Sequence, residues 1–368
     1  MEGERAEGSG RKPELVATEL AISIIVPCRN EICAIGPFLD SLRHQDFSSY
    51  NWEVIIADGM SNDGTRDFLH DFQRANPRVR VIDNPEQTTP AGLNEAIRSA
   101  NGEIILRMDV HTEYAPDYVR TCVETLLSKN VGNVGGPART RATGLLPRSI
   151  AAAYHSPFAC GSPRFHDPNY EGPADTVPYG CWRKETLERL GLFDTELVRN
   201  QDDELNLRMI RQGDCVWQTP AIKSWYSPRP KLSSLFKQYY QYGFWKIPVI
   251  VKHKIPASWR HLVPGTFVLV NALLLVSAMA ALTFGQLPLA ELAATLLALI
   301  LGVYLLCILA FGLLAARRYG WALLPYLPLV FATYHVSYGL GFLTGVVYFA
   351  TRKFRPMQPG RAFTQVTR

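Results

Sequence analysis

The sequence predicts an α/β domain with a mainly parallel sheet flanked by helices, followed by a basic aromatic interfacial segment and about three transmembrane helices. Short β-branched runs alternate with amphipathic helical stretches over the first two thirds of the chain. From about Leu262 onward charge almost disappears. Between these regions lies "PKLSSLFKQYYQYGFWKIPVIVKHK", where lysines stand among aromatic residues. The expected organisation is a polar tail over 1–20, an α/β domain over 21–228, interfacial helices over 229–261, a membrane region over 262–351 and a basic tail over 352–368.

The strand signals are "AISIIVP", "WEVIIAD", "VRVIDN" and "GEIILRMD", with helical stretches such as "IGPFLDSLRHQ" and "DGTRDFLHDFQRAN" between them. In such a sheet ligands bind beyond the carboxyl ends of the strands. The residues to read for function are therefore "PCRNE", "DGMSNDGT", "NPEQTTPAGLN" and "DVH", which follow the four strands in turn. No GxGxxG or GxxxxGK[ST] pattern is present, so neither a dinucleotide fold nor a P-loop is supported.

Three apolar stretches, within 262–284, 287–316 and 321–350, each exceed the roughly 20 residues that cross about 30 Å of hydrocarbon. The first 20 residues lack the apolar core of a signal peptide, so the soluble domain is expected to face the cytosol at the inner membrane. Seven cysteines without a CxxC pair show no disulfide framework and fit a reducing compartment. Three full spans would put "ARRYG" inside but "TRKFR" outside, against the positive-inside rule. A third span that re-enters, broken near Pro325 and Pro328 or near Gly339 and Gly341, would remove the conflict. The net charge of +5 and the basic aromatic segment suit anionic lipid, with lysines snorkelling and rings at headgroup depth. No nucleic-acid module is visible.

Taken together, "IIVPCRNE", "IIADGMSNDGT", "GLNEAIRSANGEIILRMDVH" and "NQDDELNLRMIRQG" resemble, in order and spacing, the family-2 inverting glycosyltransferases with the GT-A fold. With "VPYGCWRKETLERLGLFD" and "SYGLGF" they look most like the succinoglycan-building branch, whose members extend a lipid-linked saccharide at the cytosolic membrane face. The resemblance implies a nucleotide-sugar donor, a divalent cation and inversion at the anomeric carbon. It places Pro27, Arg29, Glu31 and Asp58 at the nucleotide, with Asn94 as a further donor contact. Capping alone explains the Asp63-Gly64-Thr65 end of "DGMSNDGT", but it does not require an acid at the strand end.

A departing diphosphate needs neutralising, and hard oxygen ligands are expected for Mn²⁺ or Mg²⁺. Asp109 meets that demand. His111 stands where the family usually has a second aspartate, and its imidazole suits Mn²⁺ better. In an extended segment Asp109 and His111 project to one side with Val110 turned away. An isolated D-x-H would be an ordinary loop. For inversion, the family's acidic pair laid on Gln201-Asp202 makes Asp202 the base, with Asp203 in reserve. Acids at a helix start are also ordinary dipole compensation. Trp182 is either an acceptor-stacking ring or a core residue. Gly135 and Gly136 either admit the sugar or shape a turn.

Processive family members carry Q-x-x-R-W, whereas this chain keeps only its ends, Gln241 and Trp245. That departure argues against a processive synthase. Gln241, Trp245 and Lys246 are expected donor contacts, although a membrane-attracted basic helix explains the lysines more economically. The expected activity is transfer of one sugar from a UDP-sugar such as UDP-glucose to a saccharide on polyprenyl diphosphate. A polyprenyl-phosphate glycosyltransferase, which needs no strong base, is the alternative enzyme. A non-catalytic membrane sensor of nucleotide sugars is the alternative of another class.

Overall fold

The computed structural model describes residues 20–47, 50–161, 163–256 and 258–351. The basic tail expected over 352–368, and all but Leu20 of the polar tail, lie outside the described residues.

The strands are β1 (Ala21–Cys28), β2 (Asn51–Asp58), β3 (Val79–Asp83), β4 (Ile104–Arg107), β5 (Thr112–Tyr114), β6 (Asn133–Gly135), β7 (Arg139–Thr140), β8 (Gly172–Pro173), β9 (Cys181–Arg183), β10 (Val216–Gln218) and β11 (Ser224–Tyr226). The helices are α1 (Ile32–Arg43), α2 (Thr65–Ala75), α3 (Thr89–Ser99), α4 (Tyr118–Lys129), α5 (Leu145–Tyr154), α6 (Pro157–Cys160), α7 (Lys184–Leu190), α8 (Gln201–Arg211), α9 (Leu232–His253), α10 (Val263–Thr283), α11 (Leu287–Tyr319) and α12 (Leu327–Thr351).

An eight-stranded sheet runs β3-β2-β1-β4-β9-β6-β10-β8, and β5-β11-β7 form a smaller one. The first four strands pair in parallel, whereas β9 is antiparallel to both β4 and β6 and β8 is antiparallel to β10. The sheet is therefore mixed beyond β4. Its central strands bury both faces because successive side chains point opposite ways. Ile22, Ile24 and Val26 join Phe38, Leu39 and Val123 on one side, while Ile25, Ile55 and Ala57 join Leu93, Ile97 and Leu205 on the other. The chain winds outward from β1 through β2 to β3 and returns to β4 on the other side, so a switch point opens between the ends of β1 and β4.

Among the described residues, three helical stretches have the length and apolarity to cross a membrane: Trp259–Thr283, Leu287–Tyr319 and Leu327–Thr351. They are not equivalent. Side chains along α10 and α11 are largely exposed, and α11, at 1.5 Å per residue, is about 50 Å long. By contrast α12 packs along α9 through glycines. A Cβ on Gly243 would stand 2.2 Å from the Tyr338 carbonyl oxygen, and one on Gly341 would stand 2.0 Å from that of Tyr240. Gly339 and Gly341 are therefore close-packing positions and not a helix break, and Pro328 lies in the first turn of an unbroken α12.

Both ends of α12 touch the α/β domain. Near its start, the Tyr334 hydroxyl donates to the Ile150 carbonyl at 3.2 Å, and Phe331 packs in one cluster with Ile150 and Ala153. Near its end, Tyr348 and Phe349 pack on the cluster of Leu197, Val198 and Phe244. Helix α9, expected as a purely interfacial helix, is instead wedged between α12 and the α/β domain and buries Gln241, Phe244, Trp245 and Lys246.

Candidate active site

The carboxyl ends of the first three strands each turn through a non-glycine residue in the left-handed region: Asn30 (φ 54°), Met60 (φ 57°) and Gln87 (φ 58°). Such conformations are uncommon outside glycine and need support from their surroundings. Here the loops brace one another. Asn30 N–H donates to Ser61 Oγ at 2.8 Å, Asn62 N–H to Asn30 Oδ1 at 2.9 Å, and Glu31 N–H to Thr65 Oγ1 at 2.7 Å. Asp63 Oδ1 accepts from the N–H and hydroxyl of Thr65, the local capping role anticipated for this segment. The bracing presents Pro27, Arg29 and Glu31 to a cleft of about 1600 Å³. Arg29 lies over Gly59, where a Cβ would meet its side chain at 3.0 Å, and its Nε is buried without a partner among the described residues. An orphaned guanidinium N–H at a sheet switch point is suited to an anionic ligand.

At the end of β4 the charged groups converge. Arg107, 4% exposed, donates from Nε to Asp109 Oδ1 at 2.8 Å and from Nη2 to Asp109 Oδ2 at 3.0 Å. Its Nη1 reaches Asp202 Oδ1, across 95 residues of sequence, at 2.5 Å. One fixed guanidinium fork thus ties the candidate metal ligand to the candidate base. Burial, followed by a raising contribution from Asp109 and Asp203, overcomes Arg107 and lifts the Asp202 carboxyl to a pKa of about 6. A third of that side chain still faces the cleft.

The three acids at the start of α8 pair with three different cations, Asp202 with the Arg107 that it shares with Asp109. Asp203 Oδ2 accepts from Lys246 Nζ at 2.7 Å, and despite burial this ammonium holds the Asp203 carboxyl below its usual range. Buried Glu204 takes Arg208 at 2.6 Å and His253 at 3.0 Å. Dipole compensation therefore coexists with three distinct pairings.

Asp109 and His111 both line the cleft. The segment between them is not extended, however: Thr112 N–H donates back to the Asp109 carbonyl at 3.2 Å, closing a turn. Tyr114 braces it by accepting from Asp109 N–H at 2.6 Å. The turn sends His111 Nε2 to Glu31 Oε2, 2.7 Å away, and buries Val110. Among the described residues no three His, Cys, Asp or Glu side chains cluster to cage an ion. Carboxylates and one imidazole nevertheless suit Mn²⁺ or Mg²⁺, whose remaining ligands commonly come from substrate phosphate and water.

Four residues expected at the donor do not line the cleft. Asp58 is fully buried and held by Arg66 Nη1 at 2.9 Å and by Ser61 N–H. Asn94 clamps the backbone of Phe193, donating to its carbonyl at 2.8 Å and accepting from its N–H at 2.9 Å. Gln241 Oε1 faces Arg199 Nε at 3.3 Å, and Trp245 packs in a cluster with Leu197 and Val249. Lys246, the third residue of the basic helix expected at the donor, does line the cleft, on Asp203. Trp182 is a core residue edge-on to Phe193, and Gly135 and Gly136 are tight core contacts against Val177 and Ile222. Sequence reasoning missed Arg107, whose signal was a charge closing the otherwise apolar, fully buried strand "IILR". It also missed Arg199 and Arg229.

Fold and site together define a class, and comparison with known proteins agrees with it. Residues 23–181 match the family model described as glycosyl transferase family 2. The chain is 29% identical over 249 residues to the succinoglycan biosynthesis protein ExoA of Rhizobium meliloti (strain 1021), covering 67% of this chain and 75% of the relative. It is 28% identical over 247 residues to a dolichyl N-acetyl-alpha-D-glucosaminyl phosphate 3-beta-D-2,3-diacetamido-2,3-dideoxy-beta-D-glucuronosyltransferase of Methanococcus voltae, covering 65% and 76%. The structure of mannosyltransferase PcManGT from Pyrobaculum calidifontis, in complex with GDP-Man and Mn²⁺, superposes with a TM-score of 0.55 at 21% identity over 88% of this chain and 86% of that one. The protein is a glycosyltransferase with a GT-A fold. It carries a glycosyl transferase family 2 domain.

Proposed function

We propose that this enzyme is an inverting, cation-assisted glycosyltransferase that moves one sugar from a UDP-linked donor to a saccharide carried on polyprenyl diphosphate, in surface glycan synthesis. The observation that carries this reading is the course of the cleft. It runs without interruption from Pro27, Arg29 and Asp109 past Asp202 to Phe267 of α10, Tyr304 and Phe311 of α11 and Tyr334 of α12. A water-soluble acceptor needs no route between a polar donor site and apolar membrane helices. A lipid-linked acceptor does, with its sugar at Asp202 and its chain among the helices.

In this mechanism Arg29 and the β1–β3 loops hold the nucleotide diphosphate. Asp202 accepts the proton of the attacking hydroxyl, and a carboxylate with a pKa of about 6 is mostly ionised at neutral pH yet more basic than an ordinary aspartate. Arg107 fixes its orientation. Asp109 and His111 would hold the divalent cation, which would supply Lewis-acid neutralisation of the leaving diphosphate, with Glu31 positioning the imidazole of His111. Attack opposite the leaving group converts an α-linked donor into a β-linkage.

The membrane arrangement belongs to the same proposal. Exposed α10 and α11 form a spanning hairpin, while α12, touching the domain at both ends, lies along its membrane face. The ends of α11 and α12 then share the cytosolic side with the catalytic domain, which satisfies the positive-inside rule without a break in α12. The test is transfer from UDP-, GDP- and dTDP-sugars with Mn²⁺, Mg²⁺ or chelator, to a polyprenyl-diphosphate saccharide and to the free saccharide. Preference for the free saccharide refutes the lipid acceptor, and transfer indifferent to chelator refutes the cation.

A further inference from the structure

The cations that line the cleft are not all neutralised in the same way. Arg107 is paired with Asp109 and Asp202, Lys246 with Asp203, and Arg260 with Asp175. Arg229 differs: its Nε donates to the neutral Gln238 Oε1 at 3.2 Å, and among the described residues it has no carboxylate within ion-pair distance. Arg199, on the loop before α8, donates from Nε to another neutral amide, Gln241 Oε1, and lies over the Tyr242 ring at 5.7 Å. Gln238 in turn donates to the Tyr242 hydroxyl at 3.2 Å, so Gln238, Gln241 and Tyr242 of α9 form one scaffold that positions both guanidinium groups. Burial, with added repulsion from Arg229, pushes the Arg199 guanidinium below its ordinary pKa. Bringing two such groups together costs electrostatic energy that a bound anion removes.

We propose that Arg199 and Arg229 form a second anion subsite, separate from the donor's, that holds the diphosphate of the lipid-linked acceptor. Two planar guanidinium forks match the geometry of phosphate oxygens. The location fits an acceptor and not a departing nucleotide. The pair sits on the loops that lead into α8 and α9, and not on the β1 and β4 ends that carry Arg29 and Asp109. From Tyr242 an aromatic path continues toward the membrane helices, with Tyr239 at 5.4 Å from Tyr242 and Tyr334 at 4.4 Å from Tyr239. A diphosphate here places its sugar toward Asp202 and its polyprenyl chain along that path. The assignment rests on the lipid-acceptor reading above.

The test uses the full-length protein in detergent with Arg199→Gln, Arg229→Gln and the charge-preserving Arg229→Lys. In the first arm, inorganic pyrophosphate is titrated while the donor site is filled with nucleoside diphosphate and cation. The wild type is expected to bind it and each Gln variant to weaken binding on the order of 10-fold or more, with Lys intermediate. Absence of binding in the wild type, or equal binding by the Gln variants, overturns the subsite. In the second arm, steady-state transfer is measured. The Gln variants are expected to raise KM for the polyprenyl-diphosphate saccharide by about 10-fold or more and to leave KM for the nucleotide sugar within about twofold. A rise confined to the nucleotide-sugar KM assigns the pair to the donor and overturns the proposal. If the wild type prefers the free saccharide, the lipid-acceptor reading fails, while the pyrophosphate arm still decides whether the arginine subsite exists.

Discussion

Replacing Arg107 by methionine removes the guanidinium that touches both Asp109 and Asp202 while roughly conserving apolar volume. Arg107 is the principal influence that lowers the pKa of Asp202, which burial and two neighbouring carboxylates have raised to about 6. Without the guanidinium that pKa rises further. A close opposite charge is worth about 1–3 pH units, so a displacement to about 8 is a fair midpoint. The ionised fraction at pH 6.5 then falls from about three quarters to about 3%, roughly a 25-fold loss that is recovered as pH rises. The sign is fixed: activity needs the carboxylate, so the acid limb of the pH–rate profile moves to higher pH. The stability cost is expected to be smaller than for a fully buried pair, because the Asp109 and Asp202 side chains remain 32% and 33% exposed. Arg107→Lys keeps the charge but not the fork and is expected to place the limb between the two. The assay is kcat/KM against pH from 5 to 9 for all three proteins. An acid limb that stays near 6 in Arg107→Met would refute the coupling of Arg107 to the base.

Other substitutions probe separate parts of the account. Asn94→Ala breaks two buried hydrogen bonds to Phe193 and should lower stability by about 2–4 kcal/mol in thermal or denaturant unfolding, with the donor KM unchanged; a raised donor KM at wild-type stability would restore Asn94 to the donor site. His111→Ala and His111→Asp should change the ratio of Mn²⁺- to Mg²⁺-supported rates if His111 holds the cation, whereas a constant ratio leaves it a partner of Glu31 alone. Gly243→Leu drives a side chain into the Tyr338 carbonyl and should part α9 from α12, with loss of transfer and lower thermal stability; tolerance of leucine there would contradict the packing. A cysteine introduced at Thr351 should be labelled from the same side of the membrane as the exposed Cys33 of the catalytic domain, and labelling from the opposite side would make α12 a third span.

The α/β half of the molecule is legible because its signals are local. β-branched runs with two buried faces are strands wherever they lie, and the polar residues at their ends fall at the switch point by topology alone. Which way a side chain points after a strand ends is not local. Asp58 turns inward to Arg66, and His111 turns toward Glu31 because a single backbone hydrogen bond converts "DVHT" from extended chain into a turn. Asn94 and Trp182 were ambiguous for a related reason: each serves Phe193, about a hundred residues from Asn94 in sequence, and no pattern around either residue shows that partner. Arg107 and Asp202 were both visible as residues, but their contact spans β4 and α8 and emerges only once the sheet is assembled. In the membrane region, composition pointed to three apolar helices and could not show that, of the glycines of "SYGLGF", Gly341 faces α9 and Gly339 faces α10.

The central claim is that Asp202 is the base for attack by a saccharide hydroxyl, and Asp202→Asn tests it most directly. The substitution preserves shape, removes the proton acceptor and keeps an oxygen for Arg107. Transfer to the polyprenyl-diphosphate saccharide should fall by about 10²–10⁴-fold in kcat while binding of the nucleotide sugar persists. Turnover close to wild type would contradict the claim and point to an acceptor, such as a lipid phosphate, that needs no base.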